Sequence, residues 1–502
     1  MSISSGRCGA DGMFPDYSIF AMLAVAVLGA LACLALPLPR HVLRLIVAIS
    51  AIELGLAANL WAGVLANGFV TAADGWFYVD AFSAFYVVVL VLVFLLSSAF
   101  AGVYFAHETG EHGFILPVAR RFGALWLGSL TAMMLVLVSN NLGIMWVGME
   151  ATTLLSAFLI SLHPSRLSLE AMWKYLIICS VGIAFAFIGT IFAAAAIQSA
   201  GGVPADALFW TKLSSADVQL DPTLMRFAFI FILVGYGTKT GLAPIHSWLP
   251  DAHSQAPASI CALLSGVETT TVLYVILRLF PVVGVAPGLD ARPWFIGFGL
   301  VSVGIATLLL IYVRDFKRMF AFSTVEHMGI ILVAAGLGGT EAHLGAAYQI
   351  TGHTLAKSFC FFAAGMVVMA IGTQDIASIR GLIRSSPLAA LALVAGGFAI
   401  AGAPPFAIFV SELAILKAGL TSGQYITVAL LSFFVVVAFC AIMFHVNQMV
   451  FGKAESRITA LATPASCRAT LALAAIPLLV IGLYIPAPLQ DLLRAAAAAM
   501  GG

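Results

Sequence analysis

Runs of about twenty apolar residues recur along almost the whole chain, and few folds can accommodate them. A membrane-spanning helix needs about 20 such residues. The chain is 62% hydrophobic and 9% charged, with a mean hydropathy of +1.08, whereas a soluble domain is about a quarter charged. The sequence therefore predicts an all-α polytopic membrane protein. Its helices number about 14, over residues 17–36, 42–66, 79–106, 120–139, 141–162, 171–198, 226–253, 257–280, 294–313, 318–338, 344–371, 386–418, 424–451 and 468–486.

The placement of lysine and arginine predicts the orientation of the chain. The odd-numbered loops between spans and their flanks carry Arg40, Arg44, Arg120, Arg121, Arg166, Arg314, Lys317, Arg318, Arg380, Arg384, Lys453, Arg457 and Arg468. The even-numbered loops and the two tails carry only Arg7, Lys212, Arg226, Arg278, Arg292 and Arg494. Cytoplasmic loops are enriched in positive charge, so both termini are expected outside, in a bacterial inner membrane. The N-terminal residues lack a basic segment, so we expect the first span to be uncleaved.

Composition also narrows the range of ligands. A net charge of +1 gives no electrostatic basis for binding nucleic acid. The seven cysteines show no CxxC spacing, which argues against an iron–sulfur cluster or a structural zinc. The run GYGTKTG at 235–241 fits neither of the glycine-rich phosphate motifs. We therefore expect no metal and no cofactor in this chain.

The ionisable residues inside the predicted spans are of two kinds only. They are the lysines Lys174, Lys239, Lys357 and Lys417 and the glutamates Glu53, Glu150, Glu268, Glu326 and Glu412. Burial and mutual proximity can bring the titration of lysine and glutamate toward neutral pH, whereas arginine stays charged. This selection favours proton transfer over static ion pairing, because intramembrane ionisable residues commonly mark ion pathways.

The first group of candidates surrounds a proline-interrupted span. Lys239 lies too deep to reach the surface, and we interpret it as a proton-accepting lysine. Glu150 is expected to modulate it. Lys174 either pairs with Glu150 or extends to the cytoplasmic surface. Glu268 is a second carboxylate near Lys239.

Residues around the break form a second candidate set. His246, Asp251 and His253 either admit protons from the cytoplasm or form a hydrogen-bonded elbow. Lys417 lies near the end of its span and is expected to extend to the surface. Glu53 lies in the N-terminal spans, where packing or contact with another subunit explains it equally well.

Candidates in the C-terminal half follow a similar pattern. His353 precedes Lys357 by one helical turn, so the two are expected on one face as a proton relay. Glu326, beside His327, acts either in the relay or in helix contact. Glu412 follows a second break, at Pro404–Pro405, by about two turns.

The order of charges and breaks predicts an internal repeat. Block 120–280 and block 294–451 each carry a glutamate, then a lysine, then a broken helix. A five-helix repeat unit must have inverted topology, which is a common transporter design. We therefore expect N-terminal helices over 1–119, two inverted five-helix repeats, and a C-terminal helix and tail over 452–502.

These residues resemble those of a known family. The stretch TKTGLAPIHSWLPDAHSQAPAS is similar to the signature of the antiporter-like, proton-pumping membrane subunits of complex I, Mrp antiporters and group 4 hydrogenases. The stretches MWVGMEATTLLSAFLI, WKYLIICSVGIAFAFIGT, STVEHMGII and GHTLAKSFCFFAAG most resemble the hydrogenase-4 component F branch. One departure is the run GVETTTVLY, because complex I members often carry a lysine near the position of Thr270.

The resemblance implies fourteen helices in two inverted repeats, each with a broken helix. It implies that Glu150 and Lys239 serve the first proton channel, that His353 and Lys357 connect the channels, and that Glu412 ends the second. It implies a non-redox, proton-translocating subunit, with other membrane subunits and a hydrogenase-like or NADH dehydrogenase-like peripheral arm as partners. The alternatives are a sodium/proton antiporter module and a membrane subunit of an inorganic-carbon uptake complex.

Overall fold

The structure is a computed structural model that describes residues 13–106, 113–203, 206–214, 220–285, 290–453 and 465–501. Most of these residues are helical. The N-terminal part contains helices α1 (Met13–Ala35), α2 (Pro39–Asn67), α3 (Ala81–Ala106), α4 (Leu116–Val138), α5 (Leu142–Ile160), α6 (Arg166–Ser199) and the short α7 (Trp210–Leu213). Strands β1 (Phe69–Ala72) and β2 (Phe77–Asp80) lie between α2 and α3.

The remaining helices include several short segments. They are α8 (Pro222–Thr240), α9 (Trp248–Gln255), α10 (Ala258–Leu263), a π-helical turn (Leu264–Glu268), α11 (Thr269–Val285), α12 (Arg292–Tyr312), α13 (Phe316–Leu337), α14 (Thr340–Ile371), α15 (Leu382–Ser385), α16 (Pro387–Ile400), α17 (Ala407–Thr421), α18 (Tyr425–Phe451), α19 (Ala465–Leu483) and α20 (Ala487–Ala499). The chain is thus an integral, multi-pass membrane protein with a helical fold.

The predicted count of fourteen spans is not reached by the residues that the structure describes. Within the described residues, 11 helices are long and apolar enough to cross a membrane, or up to 12 if the bent pair Cys467–Leu483 and Ala487–Ala499 forms one span. The predicted spans 226–253 and 386–418 are each divided into two shorter helices, α8 with α9 and α16 with α17. The count of fourteen and the inverted repeats therefore stay predictions.

Both divisions have the same local cause. Gly241 ends α8 with a φ of +84°, and Gly402 follows α16 with a φ of +72°. Side chains with a Cβ are disfavoured in this left-handed region. Three residues after each glycine comes a proline that lacks a backbone donor, Pro244 and Pro405. Helical hydrogen bonding therefore stops within the membrane at both places.

The core of the molecule is built on three central helical segments. The most apolar window of the segment Ala258–Val282 is 100% buried, and that of Phe316–Leu337 is 94% buried. The corresponding windows of Pro39–Asn67 and Tyr425–Phe451 are only 33% buried. The outer helices therefore present apolar faces to lipid or to other subunits, whereas α10, α11, α13 and α14 hold their polar residues inside.

A β-hairpin, not expected from the sequence, connects α2 and α3. Phe69 pairs with Asp80 and Ala72 with Phe77 in antiparallel register. Its turn contains Ala73 and Asp74, both with a φ of +52°. The fold is therefore helical with one small two-stranded sheet between α2 and α3.

The hairpin is tied to α11 by a buried ion pair. The guanidinium of Arg278 donates to both carboxylate oxygens of Asp80 at 2.6 Å and to the hydroxyl of Ser83 at 2.9 Å. The guanidinium carbon lies 4.3 Å from the centre of the Trp210 ring. Although Arg278 was expected at the flank of a loop, only 4% of it is exposed. The C-terminal half of α11 is therefore anchored.

Candidate functional site

The site is centred on an ion pair between α8 and the π-helical turn. Lys239 Nζ lies 3.3 Å from Glu268 Oε1. Lys239 is 1% exposed and Glu268 is 4% exposed. Two charges buried this deep in the membrane are stable only if they pair and make further hydrogen bonds, because their desolvation costs several kcal/mol per ion.

One turn of α5 completes the surroundings of the lysine. Lys239 Nζ donates to the carbonyl of Met149 at 2.8 Å and to the hydroxyl of Thr153 at 2.7 Å. It also donates to the hydroxyl of Thr152. The ammonium group thus has three neutral acceptors besides the carboxylate, so it can keep its hydrogen bonds if the carboxylate is lost.

The carboxylate of Glu268 has two hydrogen-bond donors on one oxygen. Tyr175 donates to Oε1 at 2.7 Å, and Ser156 donates to it at 3.1 Å. Oε2 is buried and has no hydrogen-bond partner among the residues that the structure describes. One oxygen is therefore fully used, and the other remains available to take a proton.

The expected pairing of Glu150 is not the one in the structure. Glu150 Oε1 accepts a hydrogen bond from Ser180 at 2.9 Å, and the carboxylate beside Lys239 belongs to Glu268. Lys174, the other proposed partner of Glu150, is paired with Asp251. Sequence spacing does not specify these partners because each pair joins helices that are distant in the chain.

Asp251 is a shared acceptor for two basic residues. Besides Lys174, it accepts from Arg318 at 2.6 Å. The three residues belong to α6, α9 and α13, and Arg166 and Arg314 nearby in the chain were assigned to the predicted cytoplasmic side. The elbow interpretation of this region thus has a specific basis, which is a carboxylate that joins three helices.

The two histidines near the break differ in their environments. His253 is completely buried, and its Nδ1 lies 2.8 Å from the carbonyl of Leu249. Its Nε2 has no hydrogen-bond partner within the described ranges. His246 is half-buried. Only His253 therefore combines full burial with a ring nitrogen that can exchange a proton.

The π-helical turn connects Glu268 to the second cluster of ionisable residues. The carbonyl of Ser265 lies 3.1 Å from His353 Nε2, and the carbonyl of Gly266 accepts from Thr354 at 2.9 Å. Because a carbonyl can only accept, His353 Nε2 carries a hydrogen. A π-helical turn within an α-helix often marks a functional site, and here both of these carbonyls bond to α14.

The second cluster contains Lys357 and two histidines. Lys357 Nζ donates to the carbonyl of Phe320 and the hydroxyl of Ser323. The rings of His327 and His353 have centroids 5.1 Å apart. The expected proximity of His353 and Lys357 on one buried helix face is consistent with this arrangement, because all of these side chains are buried.

A neutral hydrogen-bond chain continues from His327. Its Nε2 lies 3.0 Å from the carbonyl of Ile400, and its Nδ1 lies 2.7 Å from the amide nitrogen of Gln349. The carbonyl of Ile400 only accepts and the amide nitrogen only donates, so His327 is the neutral tautomer with its hydrogen on Nε2. The amide oxygen of Gln349 accepts from Ser411. The chain thus reaches α17, which carries Glu412.

Two carboxylates flank this part of the site. Glu326 is 4% exposed, and its Oε2 lacks a hydrogen-bond partner in the part of the chain that is described. Glu412 is 9% exposed. It lies so close to Gly402 that a methyl group there would collide with Glu412 Oε2. The second break therefore holds a carboxylate directly against its glycine.

Several residues of the site were not identified from the sequence. Thr152, Thr153 and Ser156 follow Met149 at helical spacing and form one polar stripe on α5. Tyr175 and Gln349 resemble ordinary interior residues in the sequence. The polar stripe was a usable signal, whereas the roles of Tyr175 and Gln349 depend on contacts between distant helices.

No metal centre is formed by the described residues, since no three His, Cys, Asp or Glu side chains meet in the way that a metal ion requires. The arrangement consists instead of buried lysines, carboxylates, neutral histidines and hydroxyl groups. Such groups can bind, hold and transfer protons.

Comparison with known proteins matches most of the chain to the family that its sequence motifs resemble. Residues 139–439 match the family model described as NADH:quinone oxidoreductase/Mrp antiporter, transmembrane. The hydrogenase-4 component F homolog of Methylacidiphilum infernorum (isolate V4) is 38% identical over 415 residues, which cover 82% of this chain and 86% of the relative.

Two further matches come from different complexes. One is a probable K⁺/H⁺ antiporter subunit of Rhizobium meliloti (strain 1021), which is 30% identical over 355 residues that cover 70% of this chain but only 33% of that relative. A chain in the structure of the membrane-bound sulfane sulfur reductase, an archaeal respiratory membrane complex, aligns with a TM-score of 0.84 at 24% identity, covering 96% of this chain and 97% of the other. The latter match concerns the fold alone.

Proposed function

This chain belongs to the NADH:quinone oxidoreductase/Mrp antiporter transmembrane family, and from that premise we propose that it translocates protons as one membrane subunit of a larger oxidoreductase complex. Redox chemistry would take place in partner subunits, in a hydrogenase-like or NADH dehydrogenase-like arm. The chain itself would supply the path for protons through its buried lysines, carboxylates and histidines. We further propose a bacterial inner membrane, with both termini outside.

The observation that carries this proposal is the buried pair of Lys239 and Glu268. Opposite charges at about 4 Å and an effective dielectric constant near 20 attract by about 4 kcal/mol. Making or breaking a contact of that strength changes a coupled equilibrium by about a thousandfold, at 1.36 kcal/mol per factor of ten. A small movement of Glu268 is thus sufficient to turn a proton-holding lysine into a proton donor.

The surroundings of the pair support such a cycle. When the carboxylate withdraws or is protonated, Thr152 and Thr153 still accept hydrogen bonds from Lys239. The free Oε2 of Glu268 can receive the proton. Proton transfer between the two groups replaces a charged pair by a neutral pair, which costs little in a medium of low dielectric constant.

The π-helical turn offers a route by which the pair influences the second cluster. A change in the winding of this turn that moves Glu268 would also move the carbonyls of Ser265 and Gly266, which bond to His353 and Thr354. His353 lies beside His327 and one helical turn from Lys357. We propose that a proton released at Lys239 is matched by proton movement through His353, Lys357 and Glu326 toward Glu412.

The assignment of regions follows from this proposal. The first block, 120–280, would load protons at Lys239 from the side on which Asp251 joins Lys174 and Arg318. His246 and His253 would lie on that entry side. The second block, 294–451, would release protons near Glu412. In this scheme Glu150 adjusts the electrostatic field around Lys239 without pairing with it.

Substitution of Lys239 tests the proposal directly. The complex that contains Lys239→Ala, reconstituted in lipid vesicles, should lose proton translocation while the chain still inserts and co-purifies with its partners. Lys417→Ala serves as the matched control, because that lysine was expected near the end of its span. Translocation at the normal rate in Lys239→Ala would refute the central role of the pair.

A second candidate function is cation/proton antiport. It is supported by the 30% identity to the probable K⁺/H⁺ antiporter protein of Rhizobium meliloti. Under this hypothesis, an imposed Na⁺ or K⁺ gradient would drive proton movement in vesicles without any electron donor. The oxidoreductase hypothesis instead requires that redox subunits co-purify with the chain and that electron transfer drives translocation.

A further inference from the structure

Glu53 is a buried carboxyl group outside both blocks. It lies on the buried face of α2 and is 0% exposed. Neither Oε1 nor Oε2 has a hydrogen-bond partner among the described residues. An ionised carboxylate without a partner in an apolar interior is too costly to persist, and such a group takes up a proton instead. Glu53 is therefore held as a neutral carboxylic acid.

The helices around Glu53 contain further polar groups. One turn earlier in α2, the hydroxyl of Ser50 lies 3.2 Å from that of Ser98 in α3. Ser98 also accepts from the indole of Trp126 in α4, at 2.9 Å. The hydroxyl of Ser97 is buried and, within the described segments, unbonded. Hydroxyl groups both donate and accept hydrogen bonds, so this cluster on α2 and α3 can relay a proton.

The helix contacts place α3 and α14 parallel to each other. Both run antiparallel to the segment Ala258–Val282, which contacts both of them. At one end of that segment, Ala258 and Phe100 of α3 both approach Gly365 of α14. Toward the other end, Tyr274 bonds to Ser83 at the start of α3, with a separation of 2.8 Å. Depths along α3 and α14 can therefore be compared directly.

This comparison places Glu53 close in depth to Lys357. The hairpin between them makes α2 and α3 run antiparallel. Glu53, three residues after Ser50, therefore lies about 4.5 Å from the level of Ser98 toward the start of α3. The Phe100 and Phe362 rings stack at 4.6 Å. Phe100 lies about 3 Å from Ser98 toward the end of α3. Lys357 precedes Phe362 by five residues, which places it about 7.5 Å from the level of Phe100 toward the start of α3. Lys357 is therefore also about 4.5 Å from the level of Ser98, on the same side as Glu53. The two ionisable groups thus lie at nearly the same level, one next to the face of α3 that carries Ser98 and the other next to the face that carries Phe100.

We propose that Glu53 is a proton-binding site that exchanges its proton during translocation. It extends the layer of ionisable residues at the level of Lys357 across α3 to the N-terminal helices. We assign a proton as its ligand: within the described ranges Glu53 belongs to no group of three His, Cys, Asp or Glu side chains that could hold a metal ion, and binding of Na⁺ or K⁺ is an outcome of the test below. This inference rests on the proposed translocation, but its first test does not depend on that function.

The first test is labelling with the apolar reagent dicyclohexylcarbodiimide, applied to the intact complex in its membrane near neutral pH. The acid proton of Glu53 moves to a nitrogen of the carbodiimide as the carboxyl oxygen adds to its central carbon, and rearrangement gives a stable N-acylurea. Mass spectrometry should find the adduct on Glu53. The exposed Glu341 is the control, because an ionised carboxylate does not react.

Two results of the labelling would overturn the proposal. One is that Glu53 stays unmodified under conditions in which other buried carboxyl groups of the chain react. The other is that Na⁺ or K⁺ protects Glu53 from the reagent, which would indicate a cation site in place of a proton site. Because labelling requires no turnover, either result leaves the function proposed for Lys239 untouched.

The second test separates proton exchange from packing. Glu53→Gln preserves the shape and neutrality of the acid but holds no exchangeable acidic proton, whereas Glu53→Asp retains one. We expect Glu53→Gln to assemble normally and to lower proton translocation at least about tenfold, with partial activity in Glu53→Asp. Equal, normal rates in both variants would show that Glu53 only packs.

Discussion

Glu268 and His353 lie on different helices and are joined through one π-helical turn, in which the carbonyl of Ser265 faces the histidine. The glutamate at the end of that turn holds Lys239. A single short backbone segment therefore contacts both groups of ionisable residues. The charge state on one side can alter the geometry on the other.

Glu268 should contribute more to proton translocation than Glu150. Glu268→Gln removes the charge that holds Lys239, whereas Glu150→Gln leaves that pair in place. We expect proton translocation to fall by about a hundredfold or more in Glu268→Gln, as for loss of a positioned acid or base, and only a few-fold in Glu150→Gln. Translocation in reconstituted vesicles measures both rates. A larger loss for Glu150→Gln would reverse the assignment.

Tyr175 should tune the pair without carrying protons itself. Tyr175→Phe removes one of the two donors to Glu268 Oε1, and a hydrogen bond to a charged group contributes about 1.5–3 kcal/mol. We expect the pH optimum of translocation to shift while activity remains. Tyr86→Phe is the control, because the buried Tyr86 hydroxyl has no hydrogen-bond partner among the described residues. An unchanged pH profile in Tyr175→Phe would argue against this role.

The ion pair of Asp80 and Arg278 should make the stability of the folded protein sensitive to acid. Burial alone would raise the pKa of Asp80, but the adjacent Arg278 and the hydrogen bonds from Arg278 and Ser83 outweigh it and hold the pKa below its ordinary value. The stabilisation is therefore complete above the ordinary pKa of aspartate, about 3.9. It is lost as the pH falls through the lowered pKa of the folded protein.

Thermal unfolding of the detergent-solubilised protein measures this effect. Asp80→Asn leaves the buried Arg278 unpaired, which should cost about 3 kcal/mol and lower the melting temperature at neutral pH. The difference from the wild type should shrink in strong acid, where Asp80 itself is neutral. Asp290→Asn is the matched control, because the pair of Asp290 and Arg292 is exposed. Equal melting temperatures for Asp80→Asn and the wild type would contradict the prediction.

Gly402 should be required for the position of Glu412. Gly402→Ala introduces a methyl group that collides with the carboxylate and strains a backbone with a φ of +72°. Gly423→Ala adds comparable strain at a φ of +75° but meets nothing within 4 Å. Strain alone costs about 1–2 kcal/mol, so both variants should lose some stability. Only Gly402→Ala should also lose proton translocation in vesicles, and equal translocation in the two variants would exclude the positioning role.

Much of the fold was accessible from the sequence because the membrane imposes simple rules. Apolar runs indicated the long helices, and Pro244 and Pro405 indicated the two breaks. The rarity of charges within the spans marked Lys239, Glu268 and Lys357 for attention. Each of these signals is local, or depends only on the cost of a charge in lipid.

The pairing of charges was not accessible in the same way. Glu150 was expected to modulate Lys239, but α5 offers the lysine only hydroxyl groups and a carbonyl, while Glu268 supplies the carboxylate. A π-helical turn shifts the register of every later side chain on its helix, since it adds one residue to a turn. The direction of Glu268 therefore depends on a backbone feature that has no simple sequence pattern. The β-hairpin was missed because its strands are only four residues long.

The anchoring of Arg278 limits how Glu268 can move. The guanidinium is held by Asp80 and Ser83 on the hairpin side and by the ring of Trp210. Because α11 is fixed at that end, it has little freedom to slide along its axis as a rigid rod. Backbone motion at Glu268 would then be confined to the π-helical turn itself, as a change in local winding. Proton release would then require a movement of only a few ångströms in the backbone of this turn, while the rest of the helix stays in place.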